Sequence, residues 1–288
     1  GTTTTITNSD ASDTSVVLGA VDGDDNGASS EASLTVNGTG SITLGNVDLS
    51  ASGTTGGTLT VALDTDNDSP ASSLTAGTLT LGGLSLSGGT DKDETFTSGT
   101  LSTLSSGSNI VLSSLGTVTF TGDVSSAGGI TISDTTSVVI DTDTAGGNVI
   151  LSASSGDISI NTSIGGIVAS DNNNGRDAIF TTSGGTGDIT LFGFDGDNGS
   201  NATDADLTIN AGGSSSVVSI GAISDTGTVT VTQSGGTTFT GSLVVGTSIV
   251  LTDTTGTIAF SGDVTTATLT TANQDYNVQF DEDATVTA

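Results

Sequence analysis

Short stretches of alternating apolar and polar residues recur along this chain of 288 residues, at a spacing of about 20 residues. One series of apolar centres consists of Ile110, Ile130, Ile150, Ile209, Val229, Ile249 and Leu269. A second series consists of Val118, Val138, Ile158, Ile189, Val218, Thr238, Ile258 and Val278. A fixed period indicates a repeat architecture, because each unit can bury its apolar residues only against its neighbours.

Within each period the local pattern is typical of a strand with one buried face. In TVTFT at 117–121, Val118 and Phe120 alternate with three Thr residues, as side chains do on the two faces of a strand. Gly, Asn, Asp and Ser fill the intervals as turn residues. The sequence therefore predicts an all-β, right-handed parallel β-helix, or β-solenoid, with coils of about 20 residues and Asp-rich loop inserts. An antiparallel sandwich array is the alternative, but it has no reason to keep such a period.

Two near-identical stretches, GTVTFTGDV at 116–124 and GTIAFSGDV at 256–264, test this period. If the irregular steps of the second series are single periods with inserts, the two stretches occupy equivalent positions six coils apart. Residues 1–99 are expected to form irregular coils with acidic loops. Residues 100–288 are expected to form a regular solenoid, continuous with the first part in one rod, with inserts near 170–177 and 194–206.

The charge and composition of the chain narrow the range of possible functions. The chain has 32 acidic and 2 basic residues, a net charge of −30, and no His, Cys, Met or Trp. Thiolate chemistry, disulfides and His or Cys metal ligands are therefore excluded. A net negative charge repels nucleic acid and anionic lipid, so we expect neither a nucleic-acid partner nor membrane insertion. Two basic residues and few aromatic residues provide few groups that could bind a polysaccharide substrate, so no enzyme activity is expected. Cations, and Ca²⁺ above all, are the natural partners.

The acidic residues cluster in segments that contain Gly or Asn. These segments are 21–27, 63–69, 90–95, 170–177 and 194–206. Alternating Asp and Asn oxygens on a flexible turn are the ligands that Ca²⁺ prefers, and the spacing within 22–26 and 195–206 partly matches a calcium loop. The candidate calcium ligands are Asp22, Asp24, Asn26, Asp64, Asp66, Asp68, Asp171, Asn173, Asp177, Asp195, Asp197, Asn201 and Asp206. The alternative is that these segments are solvated turns that keep the surface soluble.

Three stretches resemble the repeats of filamentous-haemagglutinin-like proteins, which are giant secreted bacterial adhesins with a right-handed β-helix. They are GNVILSASSGDISINTSIGG at 147–166, GTGDITL at 185–191 and TLTTANQDYNVQF at 268–280. The resemblance is strongest over residues 100–288. It implies an extracellular or cell-surface location and a role in adhesion, matrix or fibre formation. It supplies no catalytic motif.

The strand-like ends, 2–6 and 284–288, carry no capping helix. An uncapped solenoid exposes a strand edge that can pair with another chain. We therefore expect either further coils or head-to-tail self-association into a cell-surface filament, sheath or adhesin stalk, with calcium in the acidic loops. The alternative is an adhesin module that recognises glycans or surfaces through its inserted loops. A third reading is ice binding by recurring Thr-x-Thr pairs.

Overall fold

The computed structural model describes residues 3–8, 15–23, 32–50, 56–63, 71–162, 167–170, 176–183, 186–196 and 204–287. Within these ranges the chain winds into stacked coils, and strands of successive coils pair in parallel. The prediction of a parallel β-solenoid is confirmed, whereas its right-handed winding stays a prediction. The one helical segment of the described ranges is a single turn, Thr142–Ala145. No helix in this part of the chain is long and apolar enough to cross a membrane.

Three ladders of parallel strands form the sides of each coil. Ladder A contains Thr3–Asn8, Ser33–Gly38, Thr58–Leu63, Gly83–Ser87, Ile110–Ser113, Ile130–Thr135, Ile158–Thr162, Ile189–Asp195, Val217–Ser234, Gly236–Phe239, Gly256–Phe260 and Tyr276–Phe280. Strands in a ladder lie about 4.8 Å apart, so these twelve strands give a rod about 55 Å long.

Four long strands bend around corners and so belong to more than one ladder, namely Ile189–Asp195, Val217–Ser234, Leu243–Thr254 and Val264–Thr271. Parts of all four belong to ladder B, together with Val16–Leu18, Ser41–Leu44, Ser73–Ala76, Thr95–Ser98, Thr117–Phe120, Ser137–Asp141, Ile167–Ser170 and Ala284–Val286. Parts of the last three belong to ladder C, together with Val21–Asp22, Val47–Asp48, Leu79–Leu81, Leu101–Thr103, Val124–Ser126, Val149–Ala153, Asp177–Thr182 and Asp206–Asn210.

The core consists of apolar columns inside the rod. Parallel in-register pairing places equivalent side chains directly above one another, so apolar residues stack from coil to coil. The aromatic column of ladder A is an example. The Phe239 and Phe260 rings stack with centroids 4.9 Å apart, and the Phe260 and Phe280 rings with centroids 5.0 Å apart. Such columns give each coil its apolar contacts on both sides.

The predicted equivalence of GTVTFTGDV at 116–124 and GTIAFSGDV at 256–264 is wrong. Val118 lies in ladder B, whereas Ile258 lies in ladder A. The first apolar series also changes side, because Ile150 lies in ladder C rather than above Ile130 in ladder A. A strand, a glycine turn and a second strand can be accommodated at more than one of the three corners of a coil. Similar sequences therefore occupy different corners.

Uneven coil lengths caused this error. Ile130 pairs with Ile158 across 28 residues, and Val138 pairs with Ile167 across 29 residues. The additional residues lie around the helical turn Thr142–Ala145, at the corner between ladders B and C. Coils of 25 residues occur nearer the N terminus. The period of about 20 residues therefore describes only some of the coils.

The Thr-x-Thr pairs do not form one continuous surface. Thr117 and Thr119 lie on ladder B, whereas Thr268 and Thr270 lie on ladder C. Directly above Thr119, ladder B carries Val139. A regular array that orders water needs the same residue pair on successive coils of one side. The arrangement gives the ice-binding reading no support.

Candidate cation sites

The structure places four of the predicted calcium ligands in strands rather than in loops. Asp22 ends Val21–Asp22 and is exposed, and Asp195 ends Ile189–Asp195. Asp177 and Asp206 begin the strands Asp177–Thr182 and Asp206–Asn210. The strand boundaries thus extend into the segments that the sequence analysis treated as inserts. The remaining predicted ligands lie outside the described residues, namely Asp24, Asn26, Asp64, Asp66, Asp68, Asp171, Asn173, Asp197 and Asn201.

The fold brings two of these residues together. Asp177 and Asp206 are direct partners in adjacent coils of ladder C. Asn148 holds Asp177 from the preceding coil, because its Oδ1 accepts the Asp177 backbone N–H at 3.0 Å and its Nδ2 donates to the Asp177 Oδ2 at 3.3 Å. The Asp206 Oδ1 accepts the backbone N–H of Thr228 in the following coil at 2.6 Å. Both carboxylates are therefore held at one corner of the rod.

Stacking two carboxylates has an electrostatic consequence. Partial burial raises the pKa of Asp177, and the negative charge of Asp206 raises this pKa further. A cation near the two side chains would relieve both effects, because it replaces lost hydration and offsets the repulsion. The pair of Asp177 and Asp206 is thus a candidate cation site that draws on two of the predicted acidic segments.

Replacing Asp206 with Asn should lower the pKa of Asp177 part of the way to its ordinary value. The shift is partial because burial, the larger cause, remains. A raised carboxyl pKa destabilises the folded state at neutral pH, and this loss is recovered as the pH falls through the raised value towards the unfolded-state value. The variant should therefore gain less stability on acidification than the parent chain.

Carboxyl NMR titration and thermal melts between pH 7 and about pH 4 would measure both effects. Asn retains the Oδ1 that accepts the Thr228 N–H, so the comparison isolates charge. Asp263→Asn, at an exposed position in another corner, is the matched control and should leave the Asp177 pKa unchanged. An Asp177 pKa that is the same with and without the Asp206 charge would contradict the interpretation.

Other acids and amides at the corners bind backbone of the next coil. The Asp157 Oδ1 accepts the Asp188 N–H at 2.8 Å, and the Asp188 Oδ1 accepts the Val217 N–H at 2.7 Å. The Asp123 Oδ1 similarly accepts the Ile150 N–H at 3.0 Å. Carboxylates that accept backbone N–H groups form charge-assisted hydrogen bonds. For these residues a structural role accounts for the acid, and sequence reasoning missed it.

Sequence reasoning also missed the one group of three acids that, among the described residues, lie close enough to share an ion. Carboxylate oxygens of Asp91, Asp93 and Glu94 lie within 4.8 Å of one another. The segment 90–95 was recognised as acidic, but its spacing matched no calcium loop. One signal was available: alternation in the following strand places Glu94 on the same face as the buried Phe96.

The chain matches no protein-family model, no curated protein and no solved structure. The likeness to filamentous-haemagglutinin-like repeats therefore stays a prediction. A function has to rest on the geometry of the chain itself, which offers corner carboxylates and the exposed surfaces at the two ends of the rod.

Proposed function

We propose that this chain is an extracellular structural protein whose rods stack end to end into a cell-surface filament, sheath or adhesin stalk. The observation that carries the proposal is the uncovered core of the last described coil. Phe280 is 39% exposed and Val286 is 50% exposed, although they continue columns that are buried in the preceding coils. Exposed apolar residues grouped at one surface are typical of an interaction site.

The first described coil presents a complementary surface. Ile6, Leu18 and Val21 are only partly buried against the core. They line an apolar cavity of about 210 Å³, together with Leu34 and Leu49 of the next coil. Both ends of the described rod thus leave apolar columns open.

The registers of the two ends match. Ile6 begins the ladder A column that ends at Phe280. In ladder B, Val16 begins the column that ends at Ala284, and Leu18 and Val286 each lie two residues further along those strands. If one rod stacks on the next with the ladders in line, Phe280 lies over Ile6 and Val286 over Leu18. Strand edges at both ends then gain backbone partners. This contact joins two different surfaces and does not close, so it generates a filament.

Charge sets the conditions for assembly. Each chain carries a net charge of −30, so two rods repel each other unless salt screens the charge or cations bind. Calcium at the acidic corners would reduce this repulsion, and extracellular fluids commonly supply it. The resemblance to the repeats of secreted adhesins supports an extracellular location for this acidic chain. Filaments should therefore form more readily with Ca²⁺ or at high ionic strength.

Negative-stain microscopy with and without Ca²⁺ tests the proposal, and two valine substitutions sharpen it. We expect filaments of constant width from the parent chain and isolated rods from Val286→Asp, which places a charge on the exposed end of a core column. Val244→Asp is the matched control, because Val244 is also 50% exposed in ladder B but points outward from the side of the rod. It should form filaments.

Either of two outcomes would overturn end-to-end stacking. The parent chain could remain as isolated rods under all salt and calcium conditions, or Val286→Asp could form filaments as long as those of Val244→Asp. Sedimentation velocity on the same samples gives the size distribution in solution and does not depend on adsorption to a grid.

One observation favours the second candidate function, an adhesin module. The Phe192 side chain is 50% exposed and borders a surface cavity of about 360 Å³ that is also lined by Ser159, Asn161 and Thr190. An exposed ring beside hydroxyl and amide groups can stack on a sugar and bind its hydroxyls. Isolated rods that bind a defined glycan on an array would favour this function over filament formation.

A further inference from the structure

We propose that Asp91, Asp93 and Glu94 bind a calcium ion at the corner between ladders A and B. The three residues belong to the loop 88–94, which joins strand Gly83–Ser87 to strand Thr95–Ser98. Their carboxylate oxygens lie within 4.8 Å of one another. This site does not depend on the end-to-end stacking proposed above.

The burial of Glu94 is the observation that distinguishes this group from an ordinary acidic turn. Glu94 is 0% exposed. Its Oε1 accepts the backbone N–H of Gly89 at 2.7 Å. Its Oε2 is buried and has no hydrogen-bond partner among the described residues. A carboxylate removed from water needs a partner for its charge, and an ion between Glu94, Asp91 and Asp93 supplies one.

The chain's own cations are engaged elsewhere. Lys92 and Arg176 are its only basic residues. The Lys92 ammonium donates to the Asp134 Oδ1 and so lies against a carboxylate outside the cluster. The Arg176 Nη1 donates to the Thr142 carbonyl oxygen at 2.8 Å. A cation that balances the three clustered carboxylates therefore has to come from solution.

The geometry suits calcium. Two oxygens that bind one Ca²⁺ at about 2.3–2.6 Å can lie up to about 5 Å apart, so a single ion can contact all three carboxylates. Asp91 and Asp93 are exposed, which leaves room for water to complete a coordination shell of about 6–8 oxygens. Two exposed carboxylates and one buried carboxylate suit the flexible shell of Ca²⁺ better than the strict octahedron of Mg²⁺.

The next coil holds the loop in place. The Glu94 carbonyl oxygen accepts the backbone N–H groups of Gly116 at 2.8 Å and of Thr117 at 3.1 Å. A Cβ at Gly116 would lie 2.6 Å from the Lys92 carbonyl oxygen, so the loop packs directly on this glycine. A Cβ at Gly88 would lie 2.6 Å from the Glu94 Oε2. Two glycines thus make space for the loop and for its buried carboxylate.

Calorimetric titration with CaCl₂ tests the site, using the whole chain after EDTA treatment and dialysis. We expect Glu94→Gln and Asp91→Asn each to bind one calcium equivalent fewer than the parent chain, or to bind it at least about tenfold more weakly. Glu94→Gln keeps the Oε1 acceptor for Gly89 and removes the charge. Asp263→Asn, which removes an exposed acid at the same corner in a distant coil, is the control and should bind as the parent chain does.

Asp91 is exposed, so Asp91→Asn keeps the test decisive even if Glu94→Gln fails to fold. The inference is overturned if the parent chain binds no calcium, or if both variants match its stoichiometry and affinity. A parallel titration with MgCl₂ should give binding at least about tenfold weaker, and equal affinity would contradict the choice of calcium. Calcium binding at this corner requires no contact between rods, so the absence of filaments would leave the result unaffected.

Discussion

Replacing Phe260 with Ala should lower the free energy of unfolding by about 3–5 kcal/mol, the largest loss that a single core truncation in this rod is expected to cause. Phe260 is 0% exposed and its ring stacks between Phe239 and Phe280. Truncation removes both ring contacts and leaves a cavity that parallel, hydrogen-bonded coils on either side cannot collapse to fill. Chemical denaturation gives the overall loss, and hydrogen exchange in strand Gly256–Phe260 gives the local loss.

Phe280→Ala is the matched control for this prediction. The Phe280 ring belongs to the same column but, among the described residues, has a ring neighbour on one side only and is 39% exposed. Its truncation should cost about 1–2 kcal/mol, because less apolar surface returns to water. Equal losses of unfolding free energy for the two substitutions would contradict the structure, because they would mean that the column is packed no more tightly in the interior than at the end of the rod.

Local alternation explains why the core could be predicted from the sequence. Alternation predicted that Val118 and Phe120 lie on the buried face of a strand, and both are 0% exposed. The two-residue period of a strand depends only on neighbouring residues, so it can be identified without knowing which strand pairs with which. The prediction of parallel stacking likewise needed only the existence of a repeat.

The assignment of strands to sides could not be predicted in the same way. Each side of the coil carries the same alternation and ends in a similar glycine corner, so a strand has no local mark of its ladder. An insert of unknown length at a corner then changes the side to which every later strand must be assigned. The segment around Thr142–Ala145 did this, and Val138 consequently pairs with Ile167 instead of Ile158.

The candidate cation sites, like the fold, could be predicted only in part from the sequence. Matching of calcium loops searches within one continuous segment, but the solenoid places Asp177 and Asp206 together from two segments. That contact becomes visible only when the ladders are known. The buried position of Glu94 could have been predicted from its alternation with Phe96. That its Oε2 has no hydrogen-bond partner among the described residues is a property of the folded corner. Charged segments could be located from sequence, but their geometry could not.

Replacing Gly221 with Ala should destabilise the rod by about 3 kcal/mol or more, at the upper end for an inserted methyl group. A Cβ at Gly221 would lie 1.7 Å from the backbone oxygen of Phe192 and 2.6 Å from its backbone carbon. Both atoms belong to the adjacent coil, where strand Ile189–Asp195 pairs with strand Val217–Ser234. Backbone cannot rotate away as a side chain can, so the coils must separate and lengthen their hydrogen bonds.

Gly147→Ala is the matched control. It tests whether the loss of stability in Gly221→Ala results from close contact between coils rather than from the replacement of a glycine. A Cβ at Gly147 would meet no atom of the described residues within 4 Å, and its backbone is not in the left-handed region. Ala should therefore be neutral there or stabilise by up to about 1 kcal/mol, because it restricts the unfolded chain. Thermal and denaturant unfolding of both variants measure the difference. Similar stability of Gly221→Ala and Gly147→Ala would show that the coils do not approach as closely as the stacked ladders require.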